Sequence, residues 1–288
     1  METVQRLILR TLAWLPLPVL YLLGDLLYLV VFHVARFERA LAWSNLRRAF
    51  PDMPEAELRA VMRRSYRNLI SVLMEVIKAQ RISPAAIRRR VTIVNPEFLD
   101  PYLADGGSLI ALAAHQCNWE WLLLAASQAV PVQLDAVYKP IKKHLLDDLL
   151  HASRTRFGAH LIPARQAFIE IMQRRRLQRI IAMVADQGPH ADEDKYWSRF
   201  LGQDTAFYPG AEKIAELARL PVIFIGMRRI RRGHYEIRFE PVAAPPYEKG
   251  RHEVMEGYIQ RVEEQIRQSP EDWLWIYKRW KYQKPLYG

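Results

Sequence analysis

His115 and Glu120, separated by four residues in the run Ser108 to Trp121 (SLIALAAHQCNWEW), are the residues of this chain best suited to chemistry. A carboxylate bonded to one imidazole nitrogen fixes the ring's tautomer and leaves the other nitrogen free to take a proton from a hydroxyl. On one continuous helix this spacing would set the two side chains roughly 140° apart. The pair therefore requires a strand over Ser108 to Ala114, a helix starting near Asn118 and a turn that folds Glu120 back onto the ring. Asn118 is the expected N-cap, and Trp119 to Ala129 is apolar enough to be buried on all sides. No G-x-S-x-G nucleophile elbow follows, so the hydroxyl to be activated belongs to a substrate. Cys117 is a competing thiol nucleophile, but its apolar neighbours favour a buried, inert residue. The plainer reading of an isolated H-x4-E is a structural histidine.

The elements that must position this pair read as an α/β domain with a largely parallel central sheet flanked by helices. Short apolar runs at Val91 to Val94, Ser108 to Ala114, Val132 to Tyr138, His160 to Pro163 and Ile180 to Ala185 alternate with helical segments near 119–129, 141–156, 166–176 and 211–219. Residues 55–79 carry apolar positions at helical spacing, and 251–268 form a last long helix. Pro221 to Arg228 reads as another core strand with Tyr235 to Pro241 as its antiparallel partner. The aromatic stretch Tyr196 to Tyr208 reads as a loop that walls a channel, lies on a membrane or simply packs. In open α/β sheets chemistry gathers beyond the carboxyl ends of strands, and His115, Arg165 and Asp186 each follow such an end directly.

Residues 7–35 form the most apolar stretch and from Thr11 are long enough to cross a bilayer. Asp25 argues against a simple span, since a mid-helix carboxylate costs about 2.5–3.5 kcal/mol on insertion scales. Pro16 and Pro18 are expected to bend or delay the helix, and no small-residue cleavage site follows. The expected division is an N-terminal hydrophobic membrane-anchor helix within 1–40 and a catalytic domain over 41–288. Basic residues are more numerous after the stretch (Arg36, Arg39, Arg47, Arg48) than before it (Arg6, Arg10), placing the larger part in the cytoplasm. The net charge of +11 is spread over short groups rather than one recognition helix, and no nucleic-acid motif is present. Beside an anchor, an anionic membrane surface is the simpler partner and nucleic acid is not expected. One cysteine excludes an intramolecular disulfide, and no metal cluster, P-loop or dinucleotide motif suggests a cofactor.

Five motifs in order carry a family resemblance: Ser44 to Pro51 after the anchor; His115 to Glu120; Arg154, Arg156 and Gly158 with the Ala164–Arg165 pair; Asp186, Gln187 and Gly188; and Pro270 to Lys281. Over nearly its whole length the chain resembles the lipid A late acyltransferases, the lauroyl and myristoyl transferases of the lysophospholipid acyltransferase superfamily. It departs near the C-terminus, where the family often has His-Arg-Arg after a tryptophan and this chain has Tyr277-Lys278-Arg279. The resemblance implies a bacterial inner-membrane O-acyltransferase that moves a fatty acyl group from an acyl carrier protein thioester, or acyl-CoA, to a hydroxyl of a lipid A precursor. In that reading His115 is the general base and Glu120 orients it. Arg154, Arg156 and Arg165 hold acceptor phosphates or the oxyanion, and Asp186 and Gln187 bind acceptor phosphate or support the histidine. Alternatives are another glycolipid, aminolipid or lysophospholipid acceptor, or a non-catalytic protein of the same fold that binds anionic lipid.

Overall fold

The computed structural model describes residues 2–141 and 144–284. It opens with two helices, α1 (Glu2–Trp14) and α2 (Leu17–Leu29), the second prolonged by a π-helical turn over Val30–Val34. Pro16 lacks the N–H needed to continue α1 and becomes the N-cap of α2, with Pro18 inside its first turn. The prolines thus divide the apolar stretch, and Leu17–Val34 remains long and apolar enough to cross a bilayer. Helices α3 (Arg39–Ala49) and α4 (Glu55–Ala79) follow. Leu17, Leu20, Gly24 and Tyr28 of α2 are buried, and a Cβ on Gly24 would meet the Met74 and Ile70 side chains of α4. Leu22, Leu23, Leu26 and Leu29 on the other face are exposed. Asp25, the charge that argued against a simple span, is paired with Arg232 at 2.8 Å.

The remaining elements are α5 (Pro84–Arg88), β1 (Val91–Ile93), α6 (Asp100–Leu103), β2 (Leu109–Ala113), α7 (Trp119–Ala129), β3 (Gln133–Tyr138), α8 (His144–Arg154), β4 (His160–Pro163), α9 (Ala167–Gln173), β5 (Arg179–Val184), β6 (Tyr196–Phe200), β7 (Gln203–Phe207), α10 (Gly210–Ala218), β8 (Val222–Arg231), β9 (His234–Ala243) and α11 (Glu253–Gln268). Seven strands make one sheet in the order β1-β9-β8-β2-β5-β3-β4. Every neighbouring pair in it is parallel except the β8–β9 hairpin. All five residues of β2, LIALA, are buried, because a central parallel strand is covered on both faces and needs an unbroken apolar run. Strand order puts β2 between β8 and β5, so the residues just past β2 and β5 are neighbours at one edge.

The aromatic stretch is not a loop. Tyr196–Phe200 and Gln203–Phe207 pair antiparallel, and Phe200 and Phe207 enter the core beside Trp273. The turn between them, Leu201–Gly202, has positive φ at both residues, the geometry of a two-residue hairpin usually announced by Asn-Gly or Asp-Gly. Leucine gives no such signal in the sequence, and its backbone nitrogen is held by the Glu263 carboxylate at 2.7 Å.

Candidate active site

β2 ends at Ala113, and His115 sits two residues beyond it with a side chain 19% exposed. Its Nδ1 lies 2.6 Å from Asp186 Oδ1, and its backbone N–H donates to the same oxygen at 3.1 Å. The indole N–H of Trp273 donates to the other oxygen, Asp186 Oδ2, at 2.8 Å. Asp186 follows β5, the parallel neighbour of β2, so strand adjacency brings together residues 71 positions apart. Burial works to raise the Asp186 carboxyl, but the His115 charge and the bonds from His115 and Trp273 outweigh it. The net effect holds the carboxyl below the usual carboxylate range. A charged carboxylate on Nδ1 places the ring proton there and leaves Nε2 as the basic nitrogen. The Gln187 side-chain amide lies 3.4 Å from Nε2, and the Trp119 ring meets the imidazole edge-to-face at 5.1 Å.

Glu120 does not fold back onto the imidazole, contrary to the expectation from the His115–Glu120 spacing. Asn118 caps α7 as expected, accepting from Trp121 N at 2.9 Å. Glu120 is then the second residue of α7, and both its oxygens are taken by the Arg154 fork at 2.8 and 2.6 Å. The acid on the ring is Asp186. Burial works against the Arg154 charge, and the hydrogen bonds and charge of Glu120 outweigh it, raising the guanidinium's pKa. Arg154 is thereby engaged with a protein carboxylate at the end of α8. Arg156 donates to the Ala79 carbonyl at the end of α4 and lies over the Phe157 ring. Arg165 is exposed on the 3-10 turn after β4, on the same edge of the sheet as His115. Gly158, between α8 and β4, has φ +92°, a conformation that side-chain-bearing residues resist.

The turn between His115 and α7 is locked from below. Gln116 bridges to Trp273, and Cys117, at φ +55°, donates its backbone N–H to the Asp272 carbonyl at 2.9 Å. The Cys117 thiol is buried, donates to the Met227 carbonyl, and is pushed well above its ordinary pKa by burial and then by the Asp272 charge. A thiol so disposed is a poor nucleophile. The segment 270–281 supplies Trp273 to Asp186 and also Arg279, buried over the Phe207 and Phe200 rings and donating to the Ala206 carbonyl. Burial lowers the Arg279 pKa to about 10, against the opposing charge of Asp186. In the sequence this segment stands out only as a motif of the resemblance, with nothing to mark Trp273 as a partner of Asp186. Lys139, directly after β3, was also missed; it bonds His190 at the same edge. Its position after an apolar strand was the available signal.

A model of the bacterial lipid A biosynthesis acyltransferases matches residues 4–282. The chain is 22% identical over 251 residues to a lipid A biosynthesis acyltransferase of Haemophilus influenzae, covering 85% of this chain and 76% of that one. It is 22% identical over 271 residues to a lipid A biosynthesis lauroyltransferase of Escherichia coli, covering 93% of this chain and 87% of that one. The chain belongs to the bacterial lipid A biosynthesis acyltransferase family.

Proposed function

We propose that this acyltransferase moves a fatty acyl group from an acyl carrier protein thioester to a hydroxyl of a lipid A precursor, with His115 as general base. The observation that carries the reading is the His115–Asp186 pair at 2.6 Å, its second carboxylate oxygen fixed by Trp273. His115 Nε2 accepts the proton of the acceptor hydroxyl while the hydroxyl oxygen attacks the thioester carbonyl carbon. The new C–O bond forms, a tetrahedral intermediate collapses with cleavage of C–S, and the departing thiolate recovers the proton from the imidazolium. The enzyme forms no covalent intermediate, consistent with the buried Cys117. In this scheme Gln187, whose side-chain amide lies 3.4 Å from Nε2, turns to donate to the developing oxyanion.

Glu120 acts through Arg154, holding the wall of the site rather than the ring. Arg165 and Lys139, both exposed on the carboxyl edge, are the groups offered to acceptor phosphates, and Arg156 is tied into the scaffold. The acyl group is the only carried component the scheme needs, so no metal or other cofactor enters it. The exposed apolar face of α1 and α2 (Leu7, Ile8, Trp14, Leu22, Leu26) meets the bacterial inner membrane, and the catalytic part lies on its cytoplasmic side, where acyl carrier protein is found. The test is acyl transfer from acyl carrier protein to a lipid A precursor, followed by mass spectrometry of the product. His115→Ala should lower kcat by about 10²–10⁴; retention of more than a tenth of wild-type turnover would overturn the assignment.

A further inference from the structure

Glu75, on α4, is fully buried, and it bonds three elements at once. Oε1 accepts from the Tyr21 hydroxyl of α2 at 2.8 Å; Oε2 accepts from Asn118 Nδ2 and from the Tyr235 hydroxyl of β9, each at 2.6 Å. Its own backbone carbonyl accepts the indole N–H of Trp121 at 3.0 Å. Asn118 is the residue that caps α7 through Oδ1. With Nδ2 on Glu75 its amide has one permitted orientation, and the turn carrying His115, Cys117 and Trp119 is set by it.

Tyr21 is held with equal care. The Arg232 guanidinium lies 4.3 Å from its ring centroid and also bonds the Tyr21 carbonyl, Asp25 and Ser71. The β8–β9 turn approaches so closely that a Cβ on Gly233 would stand 2.2 Å from the Tyr21 hydroxyl. On the far side, Tyr235 receives Arg229, which also bonds Asp272, the residue whose carbonyl anchors Cys117. Hydrogen-bonded contacts therefore run from the apolar helix to the turn after His115 by two branches, one ending at Asn118 and the other at Cys117.

We infer that Glu75 is a positioning residue whose carboxylate couples the seating of α2 to the geometry of the turn that carries His115. α2 turns one face to α4 and an exposed apolar face outward, so its position responds to what covers that outer face. Tyr21 transmits the position to Glu75, and Glu75 transmits it to Asn118. The inference rests on His115 being the reacting base.

The test uses the full chain in phospholipid nanodiscs. Glu75→Gln keeps only one of the two acceptor oxygens, so its NH2 must oppose a donor on one side, either Asn118 Nδ2 with the Tyr235 hydroxyl or the Tyr21 hydroxyl, and Asn118→Asp sets two acids face to face. Each single change should lower kcat by about tenfold or more, with the acceptor KM within about twofold of wild type. The double variant restores a donor against an acceptor and leaves Asp as a competent cap, so it should recover to within about fivefold of wild type. Tyr21→Phe, which removes only a hydroxyl, should cost about threefold or more in kcat. A second readout is the rate at which diethyl pyrocarbonate modifies His115, located by peptide mass spectrometry; the single variants should change it and the double variant restore it. This rate does not depend on the reaction the ring performs. If His115→Ala stays active while the modification rates follow this pattern, the catalytic assignment falls and the coupling stands. No recovery in the double variant, or an unchanged modification rate in both single variants, would overturn the coupling.

Discussion

Asp135 lies inside β3 and Asp186 just past the end of its neighbour β5; both are buried, yet their surroundings push them in opposite directions. Asp135, inside β3, has two arginines: Arg174 donates to Oδ2 at 2.8 Å and Arg179 lies 3.4 Å away from the same oxygen. Its Oδ1 has no partner among the described residues. Burial raises this carboxyl, and the two guanidinium charges oppose it without prevailing. Asp186 has a histidine and an indole in place of two guanidiniums, but each of its oxygens receives a hydrogen bond, and its carboxyl is lowered. At Asp186 the His115 charge, together with bonds on both oxygens, outweighs burial; at Asp135, where one oxygen is left without a partner, burial prevails over the neighbouring charges. That suits Asp186 to hold an imidazole proton, whereas Asp135 serves as a structural joint between β3, β5 and α9.

The largest expected effect that would break this contrast is on turnover. Asp186→Asn removes the charge that orders His115 and should reduce kcat by about 10²–10⁴ in the acyl-transfer assay; a loss below tenfold would reassign the ring's support. Glu120→Ala leaves the mostly buried Arg154 charge without its partner and should destabilise the protein by about 3–5 kcal/mol in chemical denaturation. A cost near that of an exposed pair, under about 1 kcal/mol, would show that the Glu120–Arg154 fork is not held as described.

The two aspartates are also separable by carbon-detected NMR titration: Asp186 should titrate below, and Asp135 above, the ordinary value of about 3.9. The signs for stability then differ. What Asp186 contributes is present above its unfolded pKa and is lost as pH falls through its lower folded value. Asp135 behaves oppositely: the native state is favoured while it is protonated, and that advantage is lost as pH rises from the ordinary value through its raised folded one. Reversal of the titration order would remove the contrast. The smallest effect belongs to Cys117→Ala, which should leave turnover within about twofold of wild type; a large loss would restore the thiol to the mechanism.

Much of the scaffold was legible because it depends on near neighbours. The apolar period of 55–79, the β2 run, the Asn118 cap and the β8–β9 hairpin all appear where residue pattern puts them. The hairpin at Leu201–Gly202 was not legible, since its turn carries a leucine in a left-handed conformation that only the surrounding packing makes tolerable. Of the candidate site residues, His115, Asp186 and Gln187 come together. Glu120 and Arg154 pair with each other, Arg156 caps α4, and Arg165 stands exposed on the shared edge.

The amino-acid sequence by itself determined that an imidazole would sit just past a buried strand, at the mouth of an α/β sheet, with an apolar helix capped by Asn118 after it. These features follow from periodicity and capping within a few residues. Which acid holds the imidazole was decided only by the tertiary structure. Helical geometry carries Glu120 toward α8 and Arg154, while the side-by-side placement of β2 and β5 delivers Asp186, and the C-terminal segment brings Trp273 to its other oxygen. Spacing along the chain limits what two close residues can do, but a hydrogen bond across 71 positions is set by strand order.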